Sequence, residues 1–179
     1  MEKVEQDLSC LHLSSVAEKK ETIRCRVWKT FKERNLEVPM RGNPDRERKI
    51  PYFKGCHYAA ERAVKLREFR SASVIKVNPS LAQMHLRFLA LKHSKRLMVP
   101  NPAITDPMPF YLSNPSLMEA KIPENVLKKL CTKAALKRKD YFSSMDVFAN
   151  PDGISVDFYV VASVAVAING VRLGKGKGT

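Results

Sequence analysis

Ser73-Val-Ile-Lys-Val-Asn-Pro-Ser-Leu-Ala-Gln-Met-His-Leu-Arg-Phe-Leu-Ala-Leu-Lys-His-Ser-Lys-Arg-Leu-Met-Val-Pro100 changes its hydrophobic period twice in one uninterrupted run. Ser73 to Val77 is rich enough in β-branched residues for a short strand, and Asn78-Pro79 ends it. From Leu81 to His93 the spacing becomes helical, with Met84, Phe88 and Leu91 on one face. Arg96-Leu-Met-Val-Pro100 is then a second strand. Methionine and aromatic residues at this spacing read as core rather than as a cofactor box.

The same alternation continues outward. Upstream, Tyr58 to Phe69 has helical spacing through Ala59, Ala63, Leu66 and Phe69. Before it, Pro39 to Pro51 reads as an exposed, charged connector leading to Ile50-Pro-Tyr-Phe-Lys-Gly55, whose aromatics suggest a docked loop. An amphipathic helix is expected from Glu18 to about Asn35, with Ile23, Val27, Trp28 and Phe31 on one face. Downstream, residues 101–114 read as a loop with a short strand at Phe110-Tyr-Leu112. Pro123 suits the first turn of a helix from Glu124 to about Ala135. Asn150-Pro-Asp-Gly153 is a turn signal. Ile154 to Ile168 is almost wholly Val, Ile, Phe, Tyr and Ala, with Asp157 its one charge, and reads as a central strand buried on both faces. Helices alternating with strands indicate an α/β fold with a mostly parallel sheet. Ligands of such sheets sit at the carboxyl ends of the strands.

With 179 residues, 44% of them hydrophobic, the chain is long enough for one domain with a real core. Residues 1–17 are expected to form a loose N-terminal extension and residues 18–179 the domain. The formal charge of +14 predicts attraction to polyanions such as nucleotides, RNA or acidic lipid heads. Cys10, Cys25, Cys56 and Cys131 show no metal-pair spacing and follow no secretory segment, so reduced thiols in the cytoplasm are expected. The four histidines likewise lack ligand spacing, and no metal site is expected. The longest apolar run, Val160 to Ile168, is about half the length of a membrane span, which implies a soluble protein, read as a monomer.

The chain ends on Val171-Arg-Leu-Gly-Lys-Gly-Lys-Gly-Thr179, a strand running into alternating glycines and lysines. Gly174, Gly176 and Gly178 can adopt φ > 0, letting successive backbone N–H groups converge on an anion. Lys175, Lys177 and Arg172 add charge. The spacing matches neither the P-loop nor the Gly-x-Gly-x-x-Gly dinucleotide fingerprint. A short Gly/Lys tail alone is more often a solvated end. Following a strand read as buried, it becomes a candidate phosphate or nucleotide site.

Taken together, the buried run, Asn169-Gly170 and Arg172-Leu-Gly-Lys-Gly-Lys-Gly178 resemble the 5-formyltetrahydrofolate cyclo-ligase family, the methenyltetrahydrofolate synthetases. Asp157, Gly170, Arg172, Leu173, Gly174, Gly176, Lys177 and Gly178 match the family's C-terminal motif. Lys20 and Arg24 look like its N-terminal Lys-x-x-x-Arg, which helps bind ATP. Through Lys49-Ile-Pro-Tyr-Phe-Lys-Gly55, Ile75-Lys-Val-Asn-Pro79 and Leu97-Met-Val-Pro100 the chain is similar to the branch of methenyltetrahydrofolate synthetase domain-containing proteins, without their C-terminal RNA-recognition motif. The resemblance implies a Rossmann-like three-layer fold of the sugar-phosphate isomerase and CoA transferase type, here C-terminally truncated and so expected to leave apolar surface uncovered. It also implies ATP and Mg²⁺ as cofactors, with Lys20, Arg24, Arg172, Gly174, Lys175, Gly176, Lys177 and Gly178 as the nucleotide-binding set.

Departures from the family pattern bear on activity. The family's folate-side acid falls near Ser80 to Gln83, where no carboxylate exists, and the closing Tyr-Tyr-Asp is reduced to Thr179. Folate is therefore not an expected partner and no catalytic residue is assigned. The expected function is a divergent, non-catalytic domain that keeps part of a nucleotide-binding loop and associates with RNA. The alternative is an active ATP-dependent 5-formyltetrahydrofolate cyclo-ligase.

Overall fold

The computed structural model describes residues 15–38, 50–101, 110–114, 122–145 and 153–176. The chain divides into two compact units, one of residues 1–54 with 163–179 and one of residues 55–162.

In the unit of residues 55–162, strands β1 (Val74–Val77), β2 (Arg96–Pro100), β3 (Phe110–Ser113), β4 (Phe142–Met145) and β5 (Phe158–Val160) form one sheet in the order β4-β3-β2-β1-β5. β1 pairs in parallel with both β2 and β5, whereas β3 is antiparallel to β2 and to β4. Four strands thus run one way and only β3 opposes them, so the sheet is mostly parallel and the fold is α/β, Rossmann-like. Helices α2 (Cys56–Ala63), α3 (Arg67–Ser71), α4 (Met84–Lys92) and α5 (Glu124–Leu130) accompany it.

Alternation along the strands sorts the side chains between the two faces. Ile75, Val77, Leu97 and Val99 are fully buried in a cluster with Phe69, Leu86, Phe88, Leu91, Leu127 and Leu130 from the helices. Val74, Met98 and Leu112 form a smaller cluster on the opposite side, packed by Phe110, Ile154 and Val156. Asp157 immediately precedes β5 and clamps β1: its Oδ2 accepts from the backbone N–H of Ser73 at 2.8 Å and of Val74 at 2.9 Å.

Several sequence expectations need correction. The run 154–168 is not one central strand. It supplies β5 at the end of the sheet order and then β6 (Ala165–Val166), which pairs antiparallel with β7 (Arg172–Leu173) in a separate two-stranded sheet. Tyr159 and Val166 are exposed, so neither strand is buried on both faces. The helix expected over 58–69 is two, because the chain leaves helical hydrogen bonding at residues 64–66 and Leu66 is extended. Leu81–Gln83 is a 3-10 turn leading into α4, and the region after Leu130 continues as a second 3-10 turn, Ala134–Lys137. β4, Phe-Ser-Ser-Met, carries no β-branched residue and was not expected.

In the other unit, α1 (Val16–Glu33) begins two residues before the expected Glu18 because Ser15 caps it. Ser15 Oγ accepts from the Glu18 N–H at 3.3 Å, and Glu18 Oε2 accepts from the Ser15 N–H at 2.6 Å, a reciprocal capping box. The aromatic loop docks as expected. Val38 N–H donates to Tyr52 O, Lys54 N–H donates to Leu36 O, and the Phe53 ring meets Phe31 edge-on at 6.3 Å. Of the connector expected over Pro39 to Pro51, residues 39–49 lie outside the described residues, as do residues 150–152 of the Asn150–Gly153 turn.

Candidate phosphate-binding site

Both halves of the site belong to the unit of residues 1–54 and 163–179. The first half is α1. Lys20 and Arg24 are four positions apart, so the two side chains share a helix face one turn apart. The second half is the β6–β7 hairpin. Ala165 pairs with Leu173 and Val166 with Arg172. Ala167 N–H donates to Val171 O at 2.8 Å, Gly170 N–H donates to Ala167 O at 3.0 Å, and Gly170 sits at φ +85°. This is the three-residue hairpin loop that ends on a left-handed residue. It returns the chain into β7 and aims residues 174–176 back toward α1.

There the two halves meet. Arg24 Nε donates to Gly174 O at 3.0 Å, and Arg24 Nη1 donates to Glu21 Oε2 at 2.9 Å. The Arg24 side chain is only 14% exposed. Gly176 has φ +90°, and a Cβ added to it would stand 3.2 Å from Arg24 Cζ and Nη2. Lys20, Arg24, Arg172, Leu173, Gly174, Lys175 and Gly176 line an open cleft of about 440 Å³.

The electrostatics of this cleft are one-sided. Four of its seven lining residues are cations and none is acidic. Only Arg24 has an acidic partner among the described residues, through Glu21, while Lys20, Arg172 and Lys175 have none. Holding like charges together without counter-charges is unfavourable, and a multivalent anion relieves it. Among the described residues the lining carries no carboxylate, histidine, thiol or hydroxyl side chain.

The structure therefore brings Lys20, Arg24, Arg172, Gly174, Lys175 and Gly176 together, as the sequence expectation grouped them. Lys177 and Gly178 lie outside the described residues. The preceding strand is the short, partly exposed β7 rather than a buried central one. Glu21 was missed. Its signal is an acid three residues before Arg24 on the same helix, inside the Lys-x-x-x-Arg pattern.

Residues 80–83, where the family's folate-side acid would fall, lie in the unit of residues 55–162. Arg87, 2% exposed, holds the approach to them: its guanidinium donates to Asn78 O at 2.6 Å, Ser80 O at 2.9 Å and Cys131 O at 2.9 and 3.0 Å. Burial pushes its pKa down to about 10, so it stays cationic at neutral pH. The Cys131 thiol donates to Leu127 O and is pushed up to about 12 by the same burial. It is not a nucleophile. Among the described residues no group of three His, Cys, Asp or Glu side chains is placed to hold a metal ion, and no helix is long and apolar enough to cross a membrane.

A family profile, 5-formyltetrahydrofolate cyclo-ligase family, matches residues 16–179. The chain is 34% identical over 164 residues to the methenyltetrahydrofolate synthase domain-containing protein of Bos taurus, covering 89% of this chain and 39% of that protein. To the proteins of the same name it is 33% identical in Mus musculus, over 89% of this chain and 40% of the relative, and 30% identical in Homo sapiens, over 92% and 40%. The chain thus spans about two fifths of the length of these relatives. No solved structure matches it.

Proposed function

The chain belongs to the 5-formyltetrahydrofolate cyclo-ligase family, and from that premise we propose that it is a nucleotide-binding, non-catalytic member that holds a polyphosphate in the cleft between α1 and residues 172–176. One observation carries the reading. Lys20, Arg172 and Lys175, from elements some 150 residues apart, converge on the glycine backbone with no acid among them.

The residues present fit the phosphate part of ATP. Lys20, Lys175 and Arg172 supply charge, and Gly174 and Gly176 let backbone approach closely. A bound nucleoside triphosphate supplies a transferable phosphoryl group, and Mg²⁺ is held largely by the phosphates themselves. The non-catalytic half of the proposal rests on what lies elsewhere. Ser80 to Gln83 offers no carboxylate, the Ser80 carbonyl is occupied by Arg87, and among the described residues no titratable group lines the cleft except its cations.

Thermal unfolding with Mg-ATP, inorganic tripolyphosphate and adenosine tests the site. ATP and tripolyphosphate should stabilise the protein by about 2.7 kcal/mol at a hundredfold excess over Kd. Adenosine should do nothing, and Lys175→Ala should remove most of the effect. Stabilisation by adenosine alone, or no loss in Lys175→Ala, overturns the phosphate reading. Growth of methenyl absorbance from 5-formyltetrahydrofolate with Mg-ATP would establish the alternative, an active cyclo-ligase.

The charge of +14 supports RNA as a second ligand held by the same kind of contact. Filter-bound RNA should fall steeply as salt rises. Retention that ignores salt would refute a phosphate-dominated contact. Cys25, Cys56 and Cys131 are all free thiols, which fits the reducing cytoplasm in which we place the protein.

A further inference from the structure

We infer that the unit of residues 55–162 carries a surface for single-stranded RNA, a stack of rings from Tyr58 to Phe88 continued by the cations of residues 128–139. Resting on the RNA reading above, this assigns the contact to residues other than those of the polyphosphate cleft. The rings supply the first half. Tyr58 and His57 on α2 lie 4.0 Å apart between ring centroids, His57 meets His85 of α4 edge-on at 6.3 Å, and His85 lies 5.7 Å from Phe88. Tyr58 is 64% exposed, His57 is exposed, and His85 is half-buried with Glu61 Oε1 3.9 Å from its Nε2. Exposed rings give unpaired bases a face to stack on, and they accept any base because every base has a π-face.

Beyond Phe88 the surface turns cationic. Lys92 and Lys128 both lie over the Phe88 ring, at 5.7 and 5.5 Å, and Glu124 holds both there at 3.2 and 3.0 Å. From Lys128 the row continues through Lys129, Lys133, Lys137, Arg138 and Lys139, all exposed, while Leu130, Cys131, Ala135 and Leu136 between them are buried. The backbone that carries these cations is tied down near both ends. Arg87 donates twice to Cys131 O, and Asn114 Nδ2 donates to Lys139 O at 3.2 Å and to Asp140 O at 3.1 Å. Arg138 has Asp140 at 3.7 Å and stacks over the Tyr141 ring at 4.6 Å. Lys129, Lys133, Lys137 and Lys139 have no acidic partner among the described residues.

A ring stack continued by unpaired lysines suits a polymer in which bases and phosphates alternate. Free phosphate would use the lysines and leave the rings idle. An anionic membrane needs apolar side chains to bury, and Ala134 is the one exposed apolar residue between Lys128 and Lys139.

Fluorescence anisotropy of a short labelled oligouridine across a salt series tests the two halves separately. Replacing Lys133, Lys137 and Lys139 together by Ala should weaken binding at low salt and flatten the slope of log K against log salt by about 2, at roughly 0.7 per phosphate contact on a single strand. Tyr58→Ala should weaken binding about tenfold with the slope unchanged, and Tyr58→Phe should recover it. Binding of the corresponding duplex should not respond to Tyr58→Ala, because paired bases cannot stack on the ring. All these side chains are exposed, so each variant should keep the wild-type Tm and the stabilisation by tripolyphosphate. Affinity for the oligouridine within about twofold of wild type in either the lysine or the Tyr58→Ala variant overturns this surface and leaves the RNA reading standing. A wild type that binds no RNA even at low salt overturns both. Tighter binding to phosphatidylserine vesicles than to the oligouridine, lost in the lysine variant, would assign the row to a membrane instead.

Discussion

Arg87 and Asp157 show how differently two charged side chains can serve one fold. Arg87 is buried with no carboxylate beside it, and it is satisfied by three backbone carbonyls from two separate stretches. Arg87→Met would fill much of the space and leave those carbonyls unpaired in a dry interior, each costing about 1–3 kcal/mol. A loss of about 3 kcal/mol or more is expected, read as a lower urea midpoint with an unchanged slope. Asp157 acts from the surface. The N–H groups of Val74 and Ser73 hold its carboxyl below the usual range, with Lys95 contributing. Because the folded pKa lies below the unfolded one, the stabilisation is complete above the unfolded value and fades as pH falls through the folded value. Asp157→Asn should therefore be less stable than wild type at neutral pH, and its stability should change less in acid below pH about 4. Parallel acid limbs for the two proteins would contradict this. Neither role was legible in the sequence. An arginine between Leu86 and Phe88 gives no sign that Cys131 O will reach it. Asp157 stood out as the one charge in an apolar run and as a match to the family motif, and neither signal shows that it clamps β1.

At the scale of elements, what was legible is what local chemistry alone decides. β1 and β2 were found within a residue because β-branched runs bounded by Asn78-Pro79 and Pro100 leave few alternatives. The helix containing Lys20 and Arg24 was found because its charges and apolar residues fall on separate stripes. Residues 154–168 misled because composition does not record where a chain changes sheets. A run of Val and Ala serves an end strand and a hairpin equally well. The site was half legible for the same reason: basic and glycine positions declare their chemistry, whereas the seating of Gly176 on Arg24 is a tertiary contact. Gly170 in the hairpin and Gly176 beyond it, both left-handed, offer a contrast. Around Gly170 nothing lies within 4 Å of an added Cβ, so Gly170→Ala should cost only backbone strain, about 1–2 kcal/mol. That should appear as roughly tenfold or greater faster exchange of the Ala167 amide, with Gly170→Asn recovering much of it. At Gly176 an added Cβ would stand 3.2 Å from Arg24 Cζ and Nη2, so the guanidinium must give way by a few tenths of an ångström in addition to the strain at φ +90°.

At the scale of the molecule, buried apolar surface is distributed unevenly. Both hydrophobic clusters of the described residues lie within residues 55–162, where Ile75, Val77, Leu97 and Val99 have no exposure at all. The described part of the other unit is held by different means: a capping box, a short β-bridge between Glu37 and Phe53, a two-stranded hairpin and the Arg24 contacts. α1 itself buries no residue, and Ile23 on its apolar stripe is exposed. Local opening follows the apolar contact a segment must give up, so the two units should differ sharply in native-state hydrogen exchange. Amides of β1 and β2 should exchange only through global unfolding. Amides of α1 should exchange through smaller openings that are insensitive to low denaturant. Ligands act on the opening that disrupts their site, so polyphosphate should slow α1 and the β6–β7 hairpin selectively. Equal slowing of β1 by ligand at low denaturant would mean that the units open together, and the cleft would then report on the whole chain rather than on its own unit.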